Sequence, residues 1–218
     1  MNDFNLIRAL MKAFGETFVM VSTSLLISII FGGLLGLLLF ITSNPLFIRN
    51  RIVNQIVGVV INVIRSVPFI ILLVLLLPVT KFIIGTTIGY VSVIIPLSVA
   101  ATAFYARLAE ASFSDVNKGV LEAAVSSGAN PVYIIIHILI PEALPQLLKN
   151  ITVTAVSLIG FSAMAGTVGG GGIGDLAIRY GYQRYQTDVM FICVIILIVA
   201  VQILQLLGDY TAKRANKK

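Results

Sequence analysis

The feature that most constrains this chain is a series of long apolar stretches with almost no charge inside them. Between Thr17 and Ile41 there is no ionisable side chain. The stretches 82–105, 150–168 and 189–208 likewise hold no Asp, Glu, Lys, Arg or His, and the stretch 52–79 contains only Arg65. A helix of about 20 mostly apolar residues crosses the roughly 30 Å of bilayer hydrocarbon. In lipid every backbone group must find its partner within the segment, so each stretch is expected to be a helix. The expected fold is therefore an all-α integral membrane protein with about five spans and one membrane domain over residues 1–218. Composition agrees: the chain is 58% hydrophobic and 11% charged, with mean hydropathy +1.04, against about a quarter charged residues in soluble domains.

Within the spans a few residues stand out. Gly32 and Gly36 have the GxxxG spacing that lets helices approach closely, although leucine-rich spans often produce it by chance. Arg65 lies in the middle of the second stretch, with Pro68 just after it, and Pro96 interrupts the third. The net charge of +6 and pI near 9.6 would suit a nucleic-acid binder, but the basic residues sit at span ends instead of forming a stripe. Nucleic acid is not an expected partner; membrane lipid is. Five spans put the termini on opposite sides. The positive-inside rule assigns the C-terminus, with Lys213, Arg214, Lys217 and Lys218, to the cytoplasm and the N-terminus to the outside. The internal segments then also hold Arg49, Arg51, Arg107, Lys118 and Lys149, and the external ones Arg8, Lys12, Lys81, Arg179 and Arg184. Met1-Asn2-Asp3 opens without a basic n-region, so no cleaved signal peptide is expected. Lone Cys193 offers no disulfide framework.

The segment 106–149 is longer than a connection within a bundle needs. Ser114 or Asp115 is placed to N-cap a short helix that ends at a left-handed Gly128. Asn130 caps a second helix with Pro131 at its first position, a favoured pairing. That helix, Val132 to Ile140, is too short to span and is expected to stop at Pro141. The bland reading is a surface element that seals the bundle. A sharper one comes from spacing: Glu122-Ala123-Ala124, three residues, Gly128, nine residues, Ile138, one residue, then Ile140-Pro141. This resembles the EAA loop of ATP-binding-cassette (ABC) importer permeases, with Ile140 where leucine is usual. The resemblance implies that Glu122, Ala123, Ala124, Gly128, Ile138 and Pro141 belong to a cytoplasmic loop carrying two short coupling helices that seat on an ATPase subunit. Val120, Leu121 and Val125 are the candidate apolar anchors for such helix-in-groove contact.

Other patterns exclude more than they assign. No GxxxxGK[ST] occurs, so nucleotide would be bound by a partner and the chain itself has no expected cofactor. The GxGxxG at Gly169, Gly171 and Gly174 follows no strand, and the run Gly169–Gly172 reads as a tight or flexible turn. His137 lacks Cys or carboxylate partners at metal spacing, and no catalytic residues are assigned. The five stretches hold no Asp or Glu, which disfavours a proton-coupled carrier. A self-contained secondary transporter or channel, and a simple membrane anchor, remain the alternatives.

The similarity extends along most of the chain. Arg65-Ser66-Val67-Pro68-Phe69-Ile70-Ile71-Leu72 is similar to the Arg-Gly-x-Pro element of polar amino-acid permeases. Gly169 to Met190 resembles the methionine-uptake branch of the ABC importer permeases. That branch implies uptake of L- or D-methionine across the bacterial inner membrane. It also implies a homodimer, a separate pair of ATPase subunits and a substrate-binding lipoprotein. A permease for another amino acid is the nearest alternative. The small residues around Phe161, Ser162 and Met164 on the fourth span read either as ordinary close helix packing or, in a homodimer, as an apolar gate at the two-fold axis. Arg65 reads either as a side chain that snorkels or pairs with a carbonyl to hold the bundle, or as one that faces the pathway.

Overall fold

The computed structural model describes residues 3–215; among them there is no strand. Lys217 and Lys218 of the basic tail lie outside the described residues. Helix α1 is Asp3–Ser43, α2 Arg51–Ser66, α3 Phe69–Ile84, α4 Tyr90–Ser114 and α5 Lys118–Ser126. Helix α6, Pro131–Ile134, continues through a π-helical turn, Ile135–Leu139, into α7, Ile140–Ala165. A short α8, Gly172–Leu176, and a second π-turn, Ala177–Tyr182, lead to α9, Thr187–Ala215. Helices α1, α4 and α9 and the stretch Pro131–Val168 are each long and apolar enough to cross a membrane, and α2 with α3 makes a bent fifth element.

Helix boundaries differ from the expected spans where proline and glycine act differently from their usual reading. The expected span 52–79 is broken at Val67-Pro68, where α2 and α3 meet at 110°. Proline disfavours the helical region for the residue before it, and Val67 is extended, φ −84°, ψ 125°. The expected gap between 79 and 82 is absent: α3 runs through Pro78 to Ile84, and Gly85 caps it at φ 86°. Pro96 does not interrupt the third span; it is buried inside α4. Pro141 does not stop its helix either. A helix-interior proline lacks an N–H and clashes with the carbonyl four residues back. Here the turn before it widens, and the Ile140 N–H donates to the Ile135 carbonyl five residues back, the π-type accommodation. Continuous helix therefore reaches into the expected loop 106–149 from both sides, and the part between α4 and α6 is 115–130, around α5.

The core is a bundle around α4. Helices α1 and α4 run parallel, and the GxxxG spacing is a true packing device. A Cβ on Gly32 would lie 2.9 Å from the Thr102 carbonyl oxygen, and one on Gly36 2.6 Å from that of Ala106. Met20, Leu73, Leu97 and Leu158 fill one half of the interior, and Phe40, Phe113, Leu121 and Leu139 the other. Arg107 ties α4 to α2 through the Gly58 carbonyl, 3.0 Å, and Asn62 Oδ1, 2.9 Å. These contacts define two ends. The α1 C-terminus, α5 and the last turns of α9 share one; the start of α1, the glycine run and the start of α4 share the other.

Candidate functional site

At the α5 end, sequence chemistry makes a rigid corner. Asn117, not Ser114 or Asp115, caps α5: its Oδ1 accepts the Gly119 N–H at 2.8 Å. The helix closes in a Schellman arrangement around Gly128. The Gly128 N–H donates to Val125 O at 2.9 Å and the Ala129 N–H to Ala124 O at 3.2 Å. Gly128 has φ +77° and nothing within 4 Å of a built Cβ, so backbone conformation alone demands glycine there. Asn130 Oδ1 then accepts the Val132 N–H at 2.9 Å, with Pro131 at the first helical position, as expected.

The corner has two faces. Leu121 is buried against Phe113, Val116, Ile134 and Leu139, so it anchors α5 to its own chain and is not available to a partner. Ala124 and Ile138 pack against the same cluster. Glu122, Ala123, Val120, Val125 and Gly128 are exposed, as is Pro141 on the first turn of α7. The exposed face is thus small side chains, two valines and one carboxylate. It is a shallow surface suited to seating in a groove.

The pathway candidates separate. Ser162 is buried, and its hydroxyl donates to Ile159 O at 2.8 Å; it faces the protomer interior. Met164 is half exposed on the outside of α7, in line with Gly160 and Thr167. Phe161 turns the other way and stacks on Phe69, centroids 4.7 Å apart and planes 15° from parallel. It joins Arg65 in lining a cavity of about 210 Å³ at the α2–α3 break, with Phe104 and Ala100 of α4 opposite. Sequence reading singled out Arg65 and Phe161 separately. It missed Phe69 and Phe104, for which only the quoted Arg65–Leu72 segment carried any signal.

At the opposite end the glycine run is a fixed turn, not a flexible one. Gly169, Gly171 and Gly172 all have positive φ. Glu16 Oε2 of α1 accepts the Gly172 N–H at 2.8 Å, and Thr17 Oγ1 the Ile173 N–H at 2.9 Å. The π-turn beyond carries an Arg179–Asp175 ion pair and places Arg184 over the Tyr180 ring at 4.6 Å. Helices α1 and α4 extend beyond the expected apolar stretches, and the added turns carry Glu16 on α1 and Glu110 on α4. Each has a structural partner: Gly172 for Glu16, and Arg107 at 2.6 Å for Glu110. Among the described residues no group of three or more His, Cys or carboxylate side chains is arranged to hold a metal.

A membrane-spanning helical bundle with a protruding, glycine-cornered helix at one end and a broken helix beside a half-open cavity has the build of a transporter's membrane subunit. Residues 28–217 match the family of binding-protein-dependent transport system inner membrane components, and the chain belongs to that family. It is 45% identical over 209 residues to a probable D-methionine transport system permease protein of Vibrio cholerae, covering 96% of this chain and 93% of that one. It is 44% identical over 181 residues to a methionine import system permease protein of Bacillus subtilis, covering 83% and 82%. Among solved structures, a chain of the MetNI methionine ABC transporter in an inward-facing conformation superposes with TM-score 0.95 at 36% identity, over 100% of both chains. An amino acid ABC transporter solved with histidines shares the fold, TM-score 0.80 at 18% identity over 97% of this chain.

Proposed function

We propose that this chain is the permease subunit of a methionine-importing ABC transporter, working as a homodimer. Two ATPase subunits seat on the exposed face of α5, and a substrate-binding lipoprotein docks at the opposite end. The observation that carries the reading is the full-length likeness to methionine-system permeases, in sequence and in fold together. In this reading Glu122, Ala123, Val125 and Gly128 meet the ATPase, while Ala124, Ile138 and Pro141 set the angle at which α5 stands. Because α5 hangs from Leu121 in the same cluster as the π-turn before α7, movement of α5 shifts α7 directly. The absence of Asp and Glu from the apolar stretches themselves supports an external energy source over a proton relay.

The last turns of α9, with Lys213 and Arg214, share the α5 end with Arg49, Arg51 and Lys118, and this clustering of positive charge supports a cytoplasmic C-terminus and an external N-terminus. The outward stripe of Gly160 and Met164 at the end of α7, continued by Thr167 in the turn after it, is exposed and available to meet a second copy, where Met164 closes the pathway with a soft apolar contact. Phe161 and Arg65 line the route beside it. Co-purification tests the assembly: the chain, expressed with its ATPase subunit, should elute with it in equal amounts. Replacing Glu122 and Val125 with lysine should release the ATPase while the permease still inserts. Retention of the ATPase by that variant would contradict the α5 assignment.

A further inference from the structure

We infer that the cavity at the α2–α3 break is a transit site for an apolar amino acid, with Arg65 taking its carboxylate and Phe69, Phe104 and Phe161 its side chain. The inference rests on the pathway reading above and adds a site and its chemistry to it. The Arg65 side chain, exposed in the single chain, makes no hydrogen bond or ion pair with any described residue. It nevertheless lies beside three phenylalanines and level with Ala100 and Phe104, in the middle of α4. A guanidinium at that depth is costly unless an anion or water meets it, and its planar fork matches a carboxylate in bidentate fashion.

The second half of the argument is the apolar wall. Phe69 and Phe161 are held in register by their stack, and Phe104 closes the far side. Aromatic edges take thioether and branched aliphatic groups with modest, reversible affinity. The volume of about 210 Å³ is below the roughly 300–1,000 Å³ of drug-sized ligand sites, which suits one small amino acid. The break itself contributes: Val67 and Phe69, on either side of Pro68 at the start of α3, line the same cavity as Arg65, and α3 begins without a side-chain cap. A site of few contacts is also what a conduit needs, because it must release what it admits.

The test uses the permease–ATPase complex in lipid nanodiscs, in a Cys193→Ala background with Ala100→Cys, on the cavity wall but outside the proposed ligand set, as reporter. The rate of labelling by neutral N-ethylmaleimide is followed with L-methionine, L-leucine or methioninol, which lacks the carboxylate. L-methionine should slow labelling at least fivefold and methioninol less than twofold, and adding Arg65→Gln should abolish the protection while Arg65→Lys keeps part of it. Val67→Cys, which also lines the cavity without a proposed ligand role, repeats the measurement if Ala100→Cys fails to assemble. Equal protection by L-methionine and methioninol, protection that survives Arg65→Gln, or no protection by either amino acid would overturn the inference. Protection by L-leucine alone, with the same dependence on Arg65, would keep the site and refute the methionine reading instead.

Discussion

Gly128 is the residue on which the α5 corner turns, and the reason is conformational. Its φ of +77° costs a residue with a Cβ about 1–3 kcal/mol, yet no atom lies near enough for a side chain to clash. Size and backbone preference can therefore be separated. Gly128→Val should strip substrate-stimulated ATP hydrolysis from the assembled transporter by tenfold or more. Gly128→Asn, which tolerates the left-handed region, should keep most of it. A Gly128→Asn variant as inactive as Gly128→Val would show that small size, not φ, matters there. This corner was legible in the sequence because capping chemistry is local: Asn130-Pro131 and Gly128 each act on their own turn. The cap at Asn117 was misassigned to Ser114 or Asp115 because α4 runs two turns further than its apolar stretch, held by Ala109 and Phe113 in the core.

At the scale of elements, the prolines carry the lesson. Pro68 breaks a helix while Pro78, Pro96 and Pro141 do not, and sequence alone offers the same signal for all four. What separates them is tertiary: Pro96 is clamped in the core, and Pro141 follows a widened turn that the packing of Leu139 and Ile134 maintains. The GxxxG of α1 was equally ambiguous until its partner was known. Gly36→Val would drive a side chain into the Ala106 backbone and the Ala109 Cβ, 2.7 Å away. Overpacking of this kind costs about 1–3 kcal/mol, so the heated complex should aggregate at lower temperature in fluorescence-detected size exclusion. Gly15→Ala, on the same helix with nothing within 4 Å, should be neutral or slightly stabilising. At the other end, Glu16→Ala leaves the Gly172 N–H without its acceptor, at about 1–3 kcal/mol if no water replaces it. It should raise protease cleavage within 169–186 without loss of insertion; unchanged cleavage would mean that the turn holds itself.

For the whole molecule, the number of crossing elements was readable from uninterrupted apolar length, whereas the cavity was not. Arg65, Phe69, Phe104 and Phe161 come from three separate parts of the chain, and no periodicity links them. The dimer adds a further level. Met164→Cys in a Cys193→Ala background should cross-link between subunits in a manner that depends on nucleotide, because Met164 points away from its own protomer. Phe161→Cys, which faces the Arg65 cavity, should cross-link far less. The central claim is that this chain forms an ATP-driven methionine pathway. Its most direct test is uptake of radiolabelled L-methionine by proteoliposomes containing the permease, its ATPase subunit and its binding protein. Accumulation should require ATP on the α5 side and vanish in Gly128→Val vesicles; accumulation independent of ATP and driven by an ion gradient would contradict the account.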